Sequence, residues 1–333
     1  MRRLLAVAAA SVLLTTAACG GGGDSGSKAK SSASSGASSS QGGSADTIDG
    51  LSVSGAFGTE PKLTVSKAVK VTKPQTQVLT TGTGNPVQAN QAAMFDMYVA
   101  RGRDGKKIFS SSDRGAPTQA TMQTTQDNQI SKVLTDALVG QRRGSRVALA
   151  APATAVFGPT GAPQYKLKAT DSVVFVFDLL SVQPTKVLNG PQGTKVKEPA
   201  GEPVVQQSGG KVTGIDFSSA PKKAPTKLQV IPLVKGTGPA AKAGRLVTFN
   251  YYGAVWGSKK PFDSSFTRGA PAAFGIGVHS LIPAWDKTIP GLRQGSRVLI
   301  IAPPQDAYGS RAQTGIPANS TLAFVVDVLG VDS

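Results

Sequence analysis

The side chains able to do covalent chemistry are few. The 333-residue chain holds one cysteine, Cys19, and one histidine, His279. A lone cysteine forms no internal disulfide, and one placed at the end of an apolar N-terminal stretch suits attachment better than catalysis. His279 lies between a glycine-rich stretch and a candidate helix, where a surface loop is expected. With no second histidine and no Cys/Asp partner pattern, the sequence predicts no metal site, no nucleophilic triad and no cofactor. Aromatics make up 6% of the chain, so a local aromatic cluster is a specific feature. One carboxylate poses a sharper question. The stretch KKPFDSSFTRGAP (259–271) has a near-twin, KKIFSSSDRGAP (106–117); the first carries Phe262-Asp263, the second Phe109-Ser110.

The N-terminus frames Cys19. Met1-Arg2-Arg3 is a basic start, and Leu4 to Leu14 is an apolar stretch too short for a comfortable membrane span. TAAC (16–19) then sets small residues before the cysteine, resembling a bacterial lipoprotein signal whose cysteine is acylated. The reading is a signal over 1–19 with Cys19 as the lipid attachment site. Residues 20–50 are Gly/Ser-rich and read as a disordered tether. The formal net charge of +17 favours anionic surfaces such as phospholipid headgroups. No helix is lined with arginines and no nucleic-acid motif is present, so no nucleic-acid partner is expected.

The twin segments belong to a longer repeat. Gly82-Thr83-Gly84 answers Gly236-Thr237-Gly238, and Arg114 to Pro117 answers Arg268 to Pro271, both at an offset of 154 residues. Gly144 to Val147 answers Gly295 to Val298 and Phe157-Gly158 answers Tyr308-Gly309, both at 151; FVFDLLSV (175–182) answers FVVDVLGV (324–331) at 149. VSGAF (53–57) is matched with VTGIDF (212–217). The pattern predicts a duplicated domain at 51–183 and 212–333, joined by a Pro/Gly/Lys-rich linker at 184–211. Each copy reads mostly as strands, rich in β-branched and aromatic residues. One short helix is expected in each. Leu281, Ile282, Trp285 and Ile289 share a face in one, with Pro283 in its first turn and Pro290 beyond its end. Ile130, Val133, Leu134, Ala137 and Leu138 share a face in the other, with Gly140 as its stop. The expected class is α+β. Trp256 is expected at a hairpin tip.

Segments of the second copy carry a resemblance. VTFNYYG (247–253), PFDSS (261–265), LIPAW (281–285), GLRQGSRV (291–298), AYG (307–309) and GIPANSTLAFVVDVL (315–329) occur in order. Together they resemble an FKBP-type peptidyl-prolyl cis-trans isomerase over most of 227–333; residues 75–183 resemble the same family more faintly. The tandem lipoprotein arrangement is similar to secreted actinobacterial members. The resemblance implies two FKBP-like domains, each a curved antiparallel sheet around a short helix, with an aromatic pocket between sheet and helix. It assigns Tyr251, Phe262, Asp263, Trp285, Tyr308 and Phe324 to catalysis and Leu281, Ile282 and Ile316 to substrate binding. Trp285 would be the floor, Phe262, Tyr251 and Phe324 the walls, and the Ile282 N–H and Tyr308 hydroxyl the holders of substrate carbonyls. Ala272 and Ser280 depart from a usual aromatic and glutamate.

The implied function is isomerisation of X–Pro bonds in exported polypeptides. The implied location is outside the cytoplasm, anchored to the cell membrane by lipid, with macrolides as further ligands. The alternative is a non-catalytic chaperone or partner-binding module using both domains. In the first copy Asp263 reads as Ser110, Tyr251 as Met97, Trp285 as Leu134 and Tyr308 as Phe157, with Phe109 retained. That copy reads as folded but not catalytic.

Overall fold

Two antiparallel sheets with the same strand order dominate the structure, a computed structural model that describes residues 47–123 and 129–332. The first half runs through β1 (Leu51–Ser54), β2 (Lys62–Val65), β3 (Gln75–Thr80), β4 (Ala92–Arg101), β5 (Lys107–Ser110), β6 (Thr118–Thr121), α1 (Gln129–Leu138), β7 (Arg146–Pro152), α2 (Ala153–Phe157) and β8 (Ser172–Val182). After β9 (Gly193–Lys195) the second half runs through β10 (Val204–Ser208), β11 (Lys211–Asp216), β12 (Gln229–Gly236), β13 (Arg245–Val255), β14 (Pro261–Ser264), α3 (Ser265–Arg268), β15 (Ala272–Ile276), α4 (Pro283–Thr288), β16 (Arg297–Ala302) and β17 (Leu322–Val331).

The first sheet has the order β3-β7-β8-β4-β5 with β6 on β4; the second has β14-β13-β17-β16-β12-β9 with β15 on β13. Ladder irregularities recur at matching places. Shifts after Val78, Met94 and Val99 answer those after Pro232, Thr248 and Gly253, each pair 154 residues apart. Such bulges bend a strand and tighten its twist, so both sheets curve at the same points. Each half holds two short helices, where the sequence predicts one.

The long central strands are mostly apolar because both their faces are covered. In the second sheet, Phe249, Val298, Ile300 and Val326 join Trp285 and Ile289 in one core. On the opposite face Tyr252, Leu299, Ile301 and Val325 pack under the β10–β11 hairpin through Val205, Val212 and Ile215. Inside this layer lies a buried ion pair: Arg297 donates from Nε to Asp327 Oδ1 at 2.5 Å and from Nη2 to Oδ2 at 2.7 Å. Burial pushes the Asp327 carboxyl up, against the Arg297 charge. The same guanidinium donates to Gln207 Oε1 at 2.6 Å and pins the hairpin. Arg146 does the same in the first half, binding Asp178 and the carbonyls of Gly55 at 2.6 Å and Ala56 at 2.8 Å. The parallel corrects one sequence match. Val53 is on the first strand of its hairpin and Val212 on the second, so VSGAF and VTGIDF are not equivalent.

Other boundaries move. The signal 1–19 with Cys19, and the tether to residue 46, lie outside the described residues. Within the expected tether, Ile48 is already buried and its N–H donates to Gln77 Oε1 at 3.1 Å. The segment 184–211 is not a free linker. Leu188 N–H donates to Leu329 O, β9 pairs with β12, and β10 begins the hairpin that covers the second sheet. Among the described residues no helix is long and apolar enough to cross a membrane, and no metal-holding cluster occurs.

Candidate active site

Between α4 and the concave face of the second sheet lies a cleft of about 480 Å³. Tyr251, Phe262, Asp263, Phe274, Ser280, Leu281, Ile282, Pro283, Trp285, Ala307, Tyr308 and Phe324 line it. Eight of the nine site residues named from the sequence converge there. The ninth, Ile316, is 5% exposed and belongs to the supporting core.

Trp285 owes its place to a short helix with a defined start. Ile282 is the extended residue before α4, and Pro283 occupies the first turn, where its missing N–H costs nothing. Leu281 and Ile282 therefore precede the helix, correcting the four-residue stripe expected on it. The Ile282 carbonyl accepts the Trp285 N–H at 3.0 Å, while its own N–H has no partner among the described residues. Lys287 bonds Asp306 at 2.6 Å, tying α4 to the turn that leads into Ala307 and Tyr308. Asp286 accepts the N–H groups of Gly277 at 2.7 Å and His279 at 2.9 Å, holding the loop before Ser280. His279 is exposed at positive φ and takes no part in the lining.

The floor is ringed by edge-on aromatics. Trp285 lies 5.5 Å from Tyr251 and Phe324, 5.6 Å from Phe249 and 6.1 Å from Phe274 between ring centroids. Phe262 stands at 84° to Phe324, 5.6 Å away. These T-shaped pairs suit the ring quadrupoles and hold each ring in one orientation. Gly253 makes room for them. A Cβ there would lie 2.7 Å from Phe262 Cζ and 3.0 Å from Phe324 Cε1.

One polar network interrupts the apolar wall. The Tyr251 hydroxyl donates to Asp263, Arg268 pairs with the other oxygen of Asp263, and Arg268 Nη2 donates to the Tyr251 oxygen at 2.7 Å. Burial, then the Asp263 hydrogen bond, pushes the Tyr251 phenol up to about 12. Burial, then the Asp263 charge, also pushes Tyr308 up. Both phenols therefore hold their protons through neutral pH. The Tyr308 ring is 38% exposed at the rim, its hydroxyl available to a ligand.

Phe274 and Arg268 were not singled out from sequence. Phe274 pairs opposite Val247 and faces the cleft beside Tyr251, a position readable only once the strand register is known. Arg268 is visible in the sequence as a repeat landmark, with no sign of its partners. Trp256 belongs elsewhere, packed 5.1 Å from Phe217 with its indole N–H on the Pro221 carbonyl.

The corresponding place in the first half carries different side chains. Met97, Ile108, Phe109, Leu134, Phe157 and Tyr165 pack against its core. Strand register corrects the sequence pairing here. Val99 opposes Phe109 as Gly253 opposes Asp263, so Phe109 stands at the acid's position and Ile108 at that of Phe262. Ser110 corresponds to Ser264. The offset of 154 holds from Val99 and Gly253 to Arg114 and Arg268, so neither hairpin is shortened and the shared Lys-Lys and Phe letters lie one residue out of register. Arg114, the counterpart of Arg268, lies 5.1 Å over the Phe109 ring and donates to Thr118 Oγ1 at 2.8 Å.

Comparison with known proteins defines the class. Residues 238–329 match the family described as FKBP-type peptidyl-prolyl cis-trans isomerase. An FK506-binding protein of Streptomyces anulatus is 34% identical over 119 residues, covering 35% of this chain and 94% of that protein. FK506-binding protein 1 of Debaryomyces hansenii is 45% identical over 111 residues, covering 33% and 98%. Peptidyl-prolyl cis-trans isomerase Fkbp12 of Drosophila melanogaster is 42% identical over 107 residues, covering 32% and 98%. The chain belongs to the FKBP-type peptidyl-prolyl cis-trans isomerase family and is an enzyme of that type.

Proposed function

We propose that isomerisation takes place in the C-terminal cleft, on proline-containing polypeptides exported from the cytoplasm. The observation that carries this reading is the Trp285 floor ringed by Tyr251, Phe274 and Phe324 beside the Tyr251–Asp263–Arg268 network. Rotation about an X–Pro bond is slow because it breaks amide resonance. In the twisted state the carbonyl oxygen carries less charge than in the planar amide. A dry, apolar cleft disfavours the planar form more, and walls shaped to the twisted peptide lower the barrier further. The proline ring sits on Trp285. The Ile282 N–H and the Tyr308 hydroxyl hold substrate carbonyls, and Asp263 with Arg268 fixes the Tyr251 ring. No nucleophile or general base is required.

The two halves derive from one duplicated domain, supported by the shared strand order and three bulges at one offset. The N-terminal half has lost the reaction. Cys19 carries the lipid that anchors the protein to the membrane outside the cytoplasm, and two acyl chains would hold it firmly. The cleft also admits macrolides such as FK506, the ligand named in two of the relatives. The test is cis–trans exchange in a proline-containing peptide with full-length protein, wild type against Trp285→Leu. Unchanged exchange in the variant would remove Trp285 from the site. Cys19→Ser tests the anchor, and should shift the protein out of the membrane fraction.

A further inference from the structure

One wall of the cleft rests on the other half of the molecule. β15 pairs with β13 along one edge only. Along the other edge lies the side-chain amide of Gln119, from β6 of the N-terminal half. Its Nε2 donates to the Ala273 carbonyl at 2.8 Å, and its Oε1 accepts the Gly275 N–H at 3.0 Å. These two backbone groups flank Phe274, so a single amide occupies both hydrogen-bonding positions beside the residue that carries the wall. The approach is close. A Cβ on Gly275 would lie 2.5 Å from the Met94 sulfur. Ala92, Met94 and Leu246 are buried together there, with Leu180, Ala273 and Val278 against them.

Beneath this contact the halves are bolted by buried polar groups. Asp332, 1% exposed, accepts the Ser181 hydroxyl at 2.5 Å, and Ser181 Oγ accepts the Leu246 N–H at 2.8 Å. Arg245 donates to the Leu180 carbonyl at 2.5 Å. Partnered buried polar groups of this kind fix one arrangement, because parting them leaves each group unsatisfied.

We propose that the N-terminal half is a positioning element for the catalytic cleft, acting through Gln119. Gln119 touches no substrate. It holds the β15 backbone on both sides of Phe274 and so fixes that ring against Trp285 and Tyr251. The N-terminal half is thereby part of the working enzyme. This inference rests on the reading that the C-terminal cleft is the site.

The test is a double-mutant cycle in the full chain, with exchange in a proline-containing peptide as the readout. Gln119→Ala is expected to lower kcat/KM about fivefold, the scale of one or two hydrogen bonds lost from a positioned group. Gln119 is exposed, so the fold should survive its truncation, and melting checks this. Gln119→Glu keeps an acceptor for Gly275 but sets an oxygen against the Ala273 carbonyl, and should lose as much. In the Phe274→Ala background Gln119→Ala should add no further loss. The Phe274 ring-proton signals should move in Gln119→Ala while those of Phe95, in the N-terminal core, stay. Wild-type kcat/KM in Gln119→Ala, or an equal loss with and without Phe274, would overturn the inference. A Phe274→Ala variant of full activity would instead strike down the cleft reading, and this inference with it.

Discussion

At four matching positions on two matching sheets, the C-terminal half carries Gly253, Phe262, Asp263 and Tyr251, and the N-terminal half carries Val99, Ile108, Phe109 and Met97. The first set leaves a space and lines it with rings held by a charged network. The second sets methyls, a thioether and one ring there, and its arginine lies over that ring. The scaffolding elements around them do not differ in kind. Each half keeps a bidentate buried Arg–Asp pair that pins a hairpin. Each keeps a serine hydroxyl on the N–H of a strand residue, Ser111 on Met97 and Ser265 on Tyr251, both at 2.8 Å. The groups that hold the sheet recur in both halves, and those that line the cleft do not.

The comparison can be broken by moving residues across it. Exchanging Tyr251 and Asp263 for Met and Phe, the pair found in the N-terminal half, should cost the most, about a hundredfold in kcat/KM. It removes the polar network and fills the wall in one step. Trp285→Leu should cost about tenfold in kcat/KM and about 2 kcal/mol of stability, read by denaturant unfolding, because a partly filled cavity replaces the floor. Gly253→Val imports Val99 against the Phe262 ring. Overpacking of that sort costs about 1–3 kcal/mol, with a severalfold loss of activity as Phe262 and Phe324 are pushed apart.

How much of this was readable in the sequence depends on the kind of signal. The strands of the second half and the proline-started helix were legible because apolar runs and turn residues are local properties, and eight lining residues because ordered motifs carry the family resemblance. The exchange of Asp263 for Phe109 was not. The recurring Lys-Lys and Phe letters invite a match one residue out of register, and cross-strand pairing, at a constant offset of 154, is what sets Phe109 against Asp263. The resemblance assigns Ile316 to substrate binding because it matches an apolar residue of the family's last long loop, yet its side chain is buried in the core. The segment 184–211 read as linker from its Pro, Gly and Lys content, but its backbone pairs with residues far along the chain, which composition cannot register. Gln119 reaches the backbone on either side of Phe274 across 154 and 156 residues, beyond any local pattern.

A smaller effect sharpens the account of the polar network. Tyr251 holds its proton to about 12, through burial and the Asp263 hydrogen bond, against an unfolded value of 10.0. The folded state binds more protons than the unfolded state between these values. This phenol therefore contributes stability that is complete below pH 10 and lost as pH rises toward 12. Activity should stay flat from pH 6 to about 9 with respect to this group. Ultraviolet titration, with Tyr251→Phe subtracted, should show the phenol ionising earlier in Asp263→Ala.

The central claim is that the C-terminal cleft alone does the chemistry. The most direct measurement is peptide cis–trans exchange catalysed by the full chain carrying Tyr251→Met, Asp263→Phe and Trp285→Leu together, with folding checked by melting. The account predicts a folded protein that accelerates exchange no faster than buffer. A folded triple variant that keeps wild-type turnover would put the reaction in the N-terminal half and contradict it.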